Sequence, residues 1–233
     1  MKTKTPLVAL LMLALAAPLF AAEPNTLTSA EKSAGWKLLF DGKTLDGWRG
    51  YKTEQIGAGW KAEGGVLAMT VPKSGDLVTV EEFGDFEFSF EWKIVEGGNS
   101  GVIYRSGFGE SASYRTGPEY QVLDNAKAED NKKPNHLAGS LYDIGEAPPK
   151  DFTKPVGEWN VGKIVVRGWH VQHWLNGQKV ADLDLASPKG KAALAESKFK
   201  DWPKFVSLAR GHIALQEHGN AVYFRSLKIR ELK

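Results

Sequence analysis

The chain reads as an all-β jelly-roll sandwich of two antiparallel sheets, and three observations predict it. Residues 86–94 (FEFSFEWKI) alternate apolar and polar side chains without a break, the pattern of a strand with one face in a core and one toward water. Similar short runs recur at 36–40, 66–71, 102–105, 119–123, 161–167, 170–175, 179–183, 213–218 and 222–230, separated by glycine- and proline-rich turns. Asn176-Gly177 stands between two of these runs as a two-residue hairpin turn. Strands at this spacing build two packed sheets. Helix signal is sparse: residues 189–200 (KGKAALAESKFK) predict one short surface helix that stops before Pro203.

The N-terminus is set apart from this pattern. Lys2 and Lys4 precede an apolar run over 7–19, and Ala21-Ala22 form a small-residue exit. Residues 1–22 are therefore expected to be a signal peptide removed near Ala21 or Ala22, with an uncleaved anchor as the alternative, and the mature protein to be periplasmic or secreted, with no membrane span. Residues 23–34 are polar and expected to form a flexible leader, and 35–233 a single domain, a length one sandwich can hold. The polar or proline-rich loops at 128–134 and 146–155 are expected to rim one sheet.

The chain has 30 Lys and Arg against 28 Asp and Glu. Without Lys2 and Lys4 the balance is 28 to 28, so the mature chain is formally neutral. No basic cluster draws nucleic acid, and neutral partners such as sugars fit better. Cysteine is absent, which excludes disulfides, thiolate nucleophiles, Cys-ligated metals and a lipidated N-terminal cysteine. Eight Trp and eleven Phe supply the apolar area that must hold the fold instead.

Candidate site residues come from polar positions on strands. In residues 211–232, Gln216 and His218 are two apart and would share a strand face, an arrangement costly in a core but useful in a lined cleft. Glu119 and Gln121 share the face opposite Tyr120 and Val122, placing a carboxyl beside an amide. Asn99 opens the turn-to-strand segment that ends at Arg105, an arginine suited to an oxyanion or to solvent. Asp124-Asn125 reads as a turn pair. His136 lies in a loop with Tyr142 and Asp143 close behind, and a loop histidine can close a site. His170 and His173 point to opposite faces and cannot share a metal; packing roles are expected. His212 should open a strand. His218 is the histidine best suited to proton transfer near neutral pH. Metalloprotease, nucleophile-elbow, P-loop and dinucleotide fingerprints are all missing.

Several segments together, GWKLLFDGKTLDGW, GNSGVIYR, GPEYQVLDN, GEWN, HWLNGQKV and IALQEHGNAVYFRSLKI, resemble the 3-keto-disaccharide hydrolase family, also described as 3-keto-glucoside lyases and hydratases. The resemblance spans 35–232 and rests on the number and order of motifs. It implies a concanavalin A-like jelly roll with a site on the concave face. It also implies exported enzymes that act on glycosides already oxidised at C3 by a separate sugar dehydrogenase. The ketone acidifies the C2 hydrogen; its removal gives an enolate that expels the C1 substituent, and water then adds to the enone. On this chain the resemblance points to His218 or Glu119 as the C2 base and to Tyr142 as proton donor to the leaving group. Arg105 or a bound divalent metal ion would stabilise the enolate; no other cofactor is implied. Gln121, Gln216, Asn99, Asp124 and His136 would contact substrate. Where the family often carries Asn after Arg225, this chain has Ser226. The competing expectations are a non-catalytic carbohydrate-binding module of the same fold and a structural envelope protein.

Overall fold

The computed structural model describes residues 23–233, and the expected signal peptide lies outside them. In chain order the elements are α1 (Ser29–Ser33), β1 (Lys37–Leu38), β2 (Trp48–Gly50), β3 (Trp60–Glu63), β4 (Val66–Met69), β5 (Leu77–Thr79), β6 (Phe86–Ile94), β7 (Asn99–Ser106), β8 (Glu119–Leu123), β9 (Asn160–Arg167), β10 (His170–Leu175), β11 (Gln178–Asp184), α2 (Pro188–Glu196), β12 (His212–Leu215) and β13 (Val222–Glu231). One sheet runs β11-β10-β9-β6-β13-β4-β3, with β1 also paired to β13; the other runs β2-β5-β12-β7-β8. All pairings are antiparallel, so the two-sheet sandwich predicted from strand spacing is what forms.

The alternation of β6 decides which side is core. Phe86, Phe88, Phe90, Trp92 and Ile94 are buried, and the intervening polar residues are only half-buried on the outer face. They meet Val102, Tyr104, Tyr120 and Val122 of the second sheet, with Phe90 edge-on to Tyr120 at a 5.2 Å ring separation. His173 is a core residue here. Its Nδ1 faces the Gly139 and Ser140 carbonyls, which fixes that nitrogen as donor and leaves Nε2 to accept from the Tyr104 hydroxyl at 3.0 Å. Burial pushes this imidazole down to about 4. His170, on the opposite face, pairs with Asp182 at the surface. At the hairpin between β10 and β11, Asn176 and Gly177 both take positive φ, 48° and 80°, as a type I′ turn requires.

Three expectations are corrected. Residues 23–34 are not a flexible leader: Thr28 caps α1 in a reciprocal capping box with Glu31, and Glu31 also pairs with Lys228. Asn25 adds hydrogen bonds to the Gly65 carbonyl and the Ser226 amide, both at 2.8 Å. Ser226 itself sits in a bulge of β13 at φ 53°, a conformation asparagine tolerates better than serine. The strand before the last is also shorter than expected. β12 ends at Leu215, so Gln216 and His218 follow the strand rather than alternate along it. Finally, α2 stops at Glu196, which frees residues 197–200 from the expected helix.

Candidate active site

The site lies on the face of the five-stranded sheet turned away from the inter-sheet core. Along β8, Tyr120 and Val122 enter that core and leave Glu119 and Gln121 on the outer face. Along β7, Gly101 stands across from Gln121. A Cβ there would come within 2.0 Å of Glu119 Oε1, so only glycine leaves room for the carboxyl to lie over the sheet.

β8 is an edge strand, and the loop after it folds back to cover the edge. The Gly139 amide donates to the Gln121 carbonyl at 2.8 Å, the Gln121 amide to Ser140, and the Tyr142 amide to Glu119 at 3.1 Å. This return sets Tyr142 and Asp130 beside Glu119. The segment after α2 closes the opposite wall. Ser197 ends the helix, the Lys198 amide donates to Asp143 Oδ2 at 2.7 Å, and the Lys198 ammonium donates to the Tyr142 hydroxyl at 3.0 Å. The cleft so formed, about 380 Å³, is lined by Asn99, Glu119, Gln121, Asp130, Tyr142, Lys198, Gln216 and His218 among others.

Electrostatics separate the roles. Burial pushes the Glu119 carboxyl up to about 8, against the pull of Lys198 and with Asp130 and Asp76 reinforcing it. Glu119 is thus a protonated acid at neutral pH. Burial lowers the Lys198 ammonium from its ordinary value, opposed by Glu119, Asp130 and Asp143. The Tyr142 hydroxyl is raised by burial and then by its 2.8 Å hydrogen bond to Asp130. Asp76, on the floor, is raised by burial although it accepts from Ser113 and from the Glu217 amide. Two amide oxygens, Gln121 Oε1 and Gln216 Oε1, are buried without a hydrogen-bond partner.

Six residues expected at a site therefore line the cleft: Glu119, Gln121, Tyr142, Gln216, His218 and Asn99. His136 itself does not reach the cleft. It is buried between Asp130 Oδ1 and Asp143 Oδ1, each 2.8 Å from a ring nitrogen, and so braces Asp130. Burial works to raise Asp143, but hydrogen bonds from His136, the Lys198 amide and Lys133 outweigh it and hold that carboxyl low. Two further expectations fail. Arg105 is at the far end of β7, where its guanidinium binds the Gly84 and Gly168 carbonyls and Asp85, over the Trp169 ring. Its φ of 51° marks the bulge in β7 that turns it away from the face of Ile103. Asp124 folds into its own turn, accepting from the Gly97, Ala126 and Lys127 amides. Lys198, Asp130 and Asp76 were missed. Among the described residues no three His, Asp or Glu side chains are grouped to hold a metal ion.

Known proteins share this framework. Residues 35–230 match the 3-keto-alpha-glucoside-1,2-lyase-like domain. A 3-keto-disaccharide hydrolase of Bacteroides thetaiotaomicron is 34% identical, over 91% of this chain and 83% of its own length. The crystal structure of a provisionally assigned glycosyl hydrolase of Parabacteroides distasonis superposes with a TM-score of 0.84 at 32% identity, covering 91% of this chain and all of that one. A second such protein of that organism gives 0.69 at 29% identity, over 84% of this chain and 99% of its own. The family match over residues 35–230 agrees with the 34% identity over 91% of the chain, and the chain belongs to the 3-keto-alpha-glucoside-1,2-lyase-like family.

Proposed function

We propose that the protein is a glycoside hydrolase that cleaves 3-keto-disaccharides by elimination and hydration. The observation that carries this reading is the one cleft that gathers the buried Glu119 carboxyl, the Lys198 ammonium and the His218 imidazole, burial favouring the protonated carboxyl. Elimination needs an acid, a cation and a base, and these three side chains supply them. His218 takes the C2 proton. The electron pair moves to the C3 oxygen, where Lys198 stabilises the enolate. The enolate collapses to a C1–C2 double bond, the C1–O bond breaks, and Glu119 gives its proton to the leaving oxygen. In the hydration step Glu119 takes a proton from water as that water adds to C1, and His218 returns a proton to C2. Both groups end as they began, and the net change is hydrolysis.

Lys198 takes the role that the resemblance gave to Arg105. Tyr142 is a poor acid in this setting, because burial and Asp130 hold its proton. It serves better to orient Lys198. Gln121 and Gln216 line the cleft and would present their amide groups to sugar hydroxyls. A binding module would need none of the buried acid or cation, which favours the enzyme. The N-terminal pattern supports export to the periplasm or beyond, and the substrate's ketone requires a sugar 3-dehydrogenase acting upstream. The test is turnover of a 3-keto-disaccharide by the purified protein, with no reaction on the unoxidised disaccharide. Lys198→Met should lower kcat by about 10²–10³-fold, the scale of losing one charge-stabilising group. Equal turnover of oxidised and unoxidised sugars would refute elimination.

A further inference from the structure

One wall of the cleft is a closed circuit of hydrogen bonds. The Lys198 ammonium donates to the Tyr142 hydroxyl at 3.0 Å, and that hydroxyl donates to Asp130 Oδ2 at 2.8 Å. Asp130 Oδ1 lies 2.8 Å from His136 Nδ1, and His136 Nε2 lies 2.8 Å from Asp143 Oδ1. Asp143 Oδ2 accepts from the Lys198 backbone amide at 2.7 Å, which returns the circuit to the residue where it began. Lys198 is thus held twice, at its ammonium and at its backbone, and His136 is where the two holds meet. The imidazole is buried and packs on the Tyr142 ring with 4.2 Å between centroids. Ionised carboxylates only accept, so the circuit closes with both ring nitrogens as donors.

Resting on the elimination reading above, in which Lys198 stabilises the enolate, we infer that His136 is a positioning residue for that step. It does not line the cleft; it fixes the Lys198 ammonium there by joining Asp130 to Asp143. A lysine side chain has many rotamers, and an ammonium aimed at a developing charge is most effective when its position is set beforehand. The other buried histidine shows what a packing role looks like. His173 is satisfied by two backbone carbonyls and the Tyr104 hydroxyl, all inside the core. His136 instead bonds two carboxylates, and the second oxygen of each holds a part of the cleft wall. Lys133 also reaches Asp143, at 3.0 Å, but from an exposed position, where an ion pair contributes little, so it does not replace the buried donor.

The experiment compares wild type, His136→Gln, and His136→Gln combined with Asp130→Asn, all in the full-length protein. Glutamine can donate to Asp143, but its oxygen then faces the Asp130 carboxylate. Asparagine at 130 turns that clash back into a hydrogen bond, and its own oxygen still accepts from Tyr142. The pair of substitutions also leaves the summed charge unchanged. His136→Gln should lower kcat on a 3-keto-disaccharide by about 10²-fold, the scale of an ångström of misplacement, with KM within about threefold. The double variant should recover at least about tenfold of that loss, a coupling that independent sites do not show. In crystals the Lys198 ammonium should leave the Tyr142 hydroxyl in His136→Gln and return to it in the double variant. Folded His136→Gln protein with wild-type kcat, or a double variant no faster than the single one, would overturn the positioning role and leave the elimination reading intact. An ammonium that stays on Tyr142 in His136→Gln crystals would do the same. Wild type that turns over no 3-keto substrate would overturn the elimination reading and the step assigned to Lys198, while the crystals would still decide whether His136 holds that lysine.

Discussion

Glu119→Gln should make the protein more stable and less active at once, and by an amount that depends on pH. The folded carboxyl titrates at about 8, against 4.5 in the unfolded chain. A group raised in this way favours folding fully only below the unfolded value, and the contribution is lost as pH rises toward the folded value. At 1.36 kcal/mol per pH unit the loss is negligible at pH 4, about 3 kcal/mol at pH 7 and about 5 kcal/mol above pH 8. Glutamine has the same shape, fits the space Gly101 leaves, and carries no ionisation penalty. Urea denaturation at pH 4, 7 and 9 should therefore show the variant gaining on wild type by those increments. In parallel kcat should fall by about 10²–10⁴-fold, the scale of a lost general acid. Wild-type kcat/KM should have an alkaline limb near pH 8 that the variant lacks. A stability difference that stays constant from pH 4 to pH 9 would mean that Glu119 ionises normally in the fold, and its role as proton donor would fall.

Three other substitutions separate catalysis from architecture. His218→Ala removes an exposed imidazole that makes no hydrogen bond among the described residues, so stability should stay within about 0.5 kcal/mol. Its kcat should fall by about 10²-fold or more; retained turnover would remove His218 as the base. Arg105→Ala strips partners from the Gly84 and Gly168 carbonyls and Asp85, and should cost about 3 kcal/mol by thermal or chemical denaturation. Folded Arg105→Ala protein should keep wild-type kcat, and a loss of kcat with unchanged stability would return Arg105 to the site. Gly101→Ala pushes a methyl group into Glu119 Oε1 and should cost about 1–3 kcal/mol along with activity, which Glu119→Ala in the same chain should partly relieve in stability alone.

The legible parts of the fold are those where one face is dry and the other wet. β6, β8 and β10 were bounded by the sequence to the residue, because their alternation is strict and their ends carry turn residues. β2, β3 and β5 were not seen. They are three or four residues long, too short for any period to register, and they exist because neighbouring strands accept their backbone hydrogen bonds. The N-terminal segment misled for a related reason. Its residues are polar, and polarity alone reads as a loose chain, but Asn25 and Glu31 spend that polarity on β13.

The site divides along the same line. Glu119 and Gln121 were legible because strand period two assigns a face, and the apolar Tyr120 and Val122 identify the other one as core. Gln216 and His218 were placed at the cleft by an argument that does not hold, since the strand ends before them; what brings them there is the chain's exit from β12 across the same face. Arg105 fails where period two fails, at a bulge, and a single residue in the left-handed region is enough to send a side chain to the other end of the sheet's chemistry. Lys198 is the counterpart error. The pattern continues a helix through it, yet Ser197 breaks off α2, and Asp143 captures the Lys198 amide from a loop with no sequence proximity. The proposed elimination calls for a cation beside the acid, and the sequence offered an arginine on the adjacent strand. The fold instead pairs the arginine with Asp85 and draws a lysine from beyond the helix, which is why the acid's proton and the cation's charge are both set by burial in one wall.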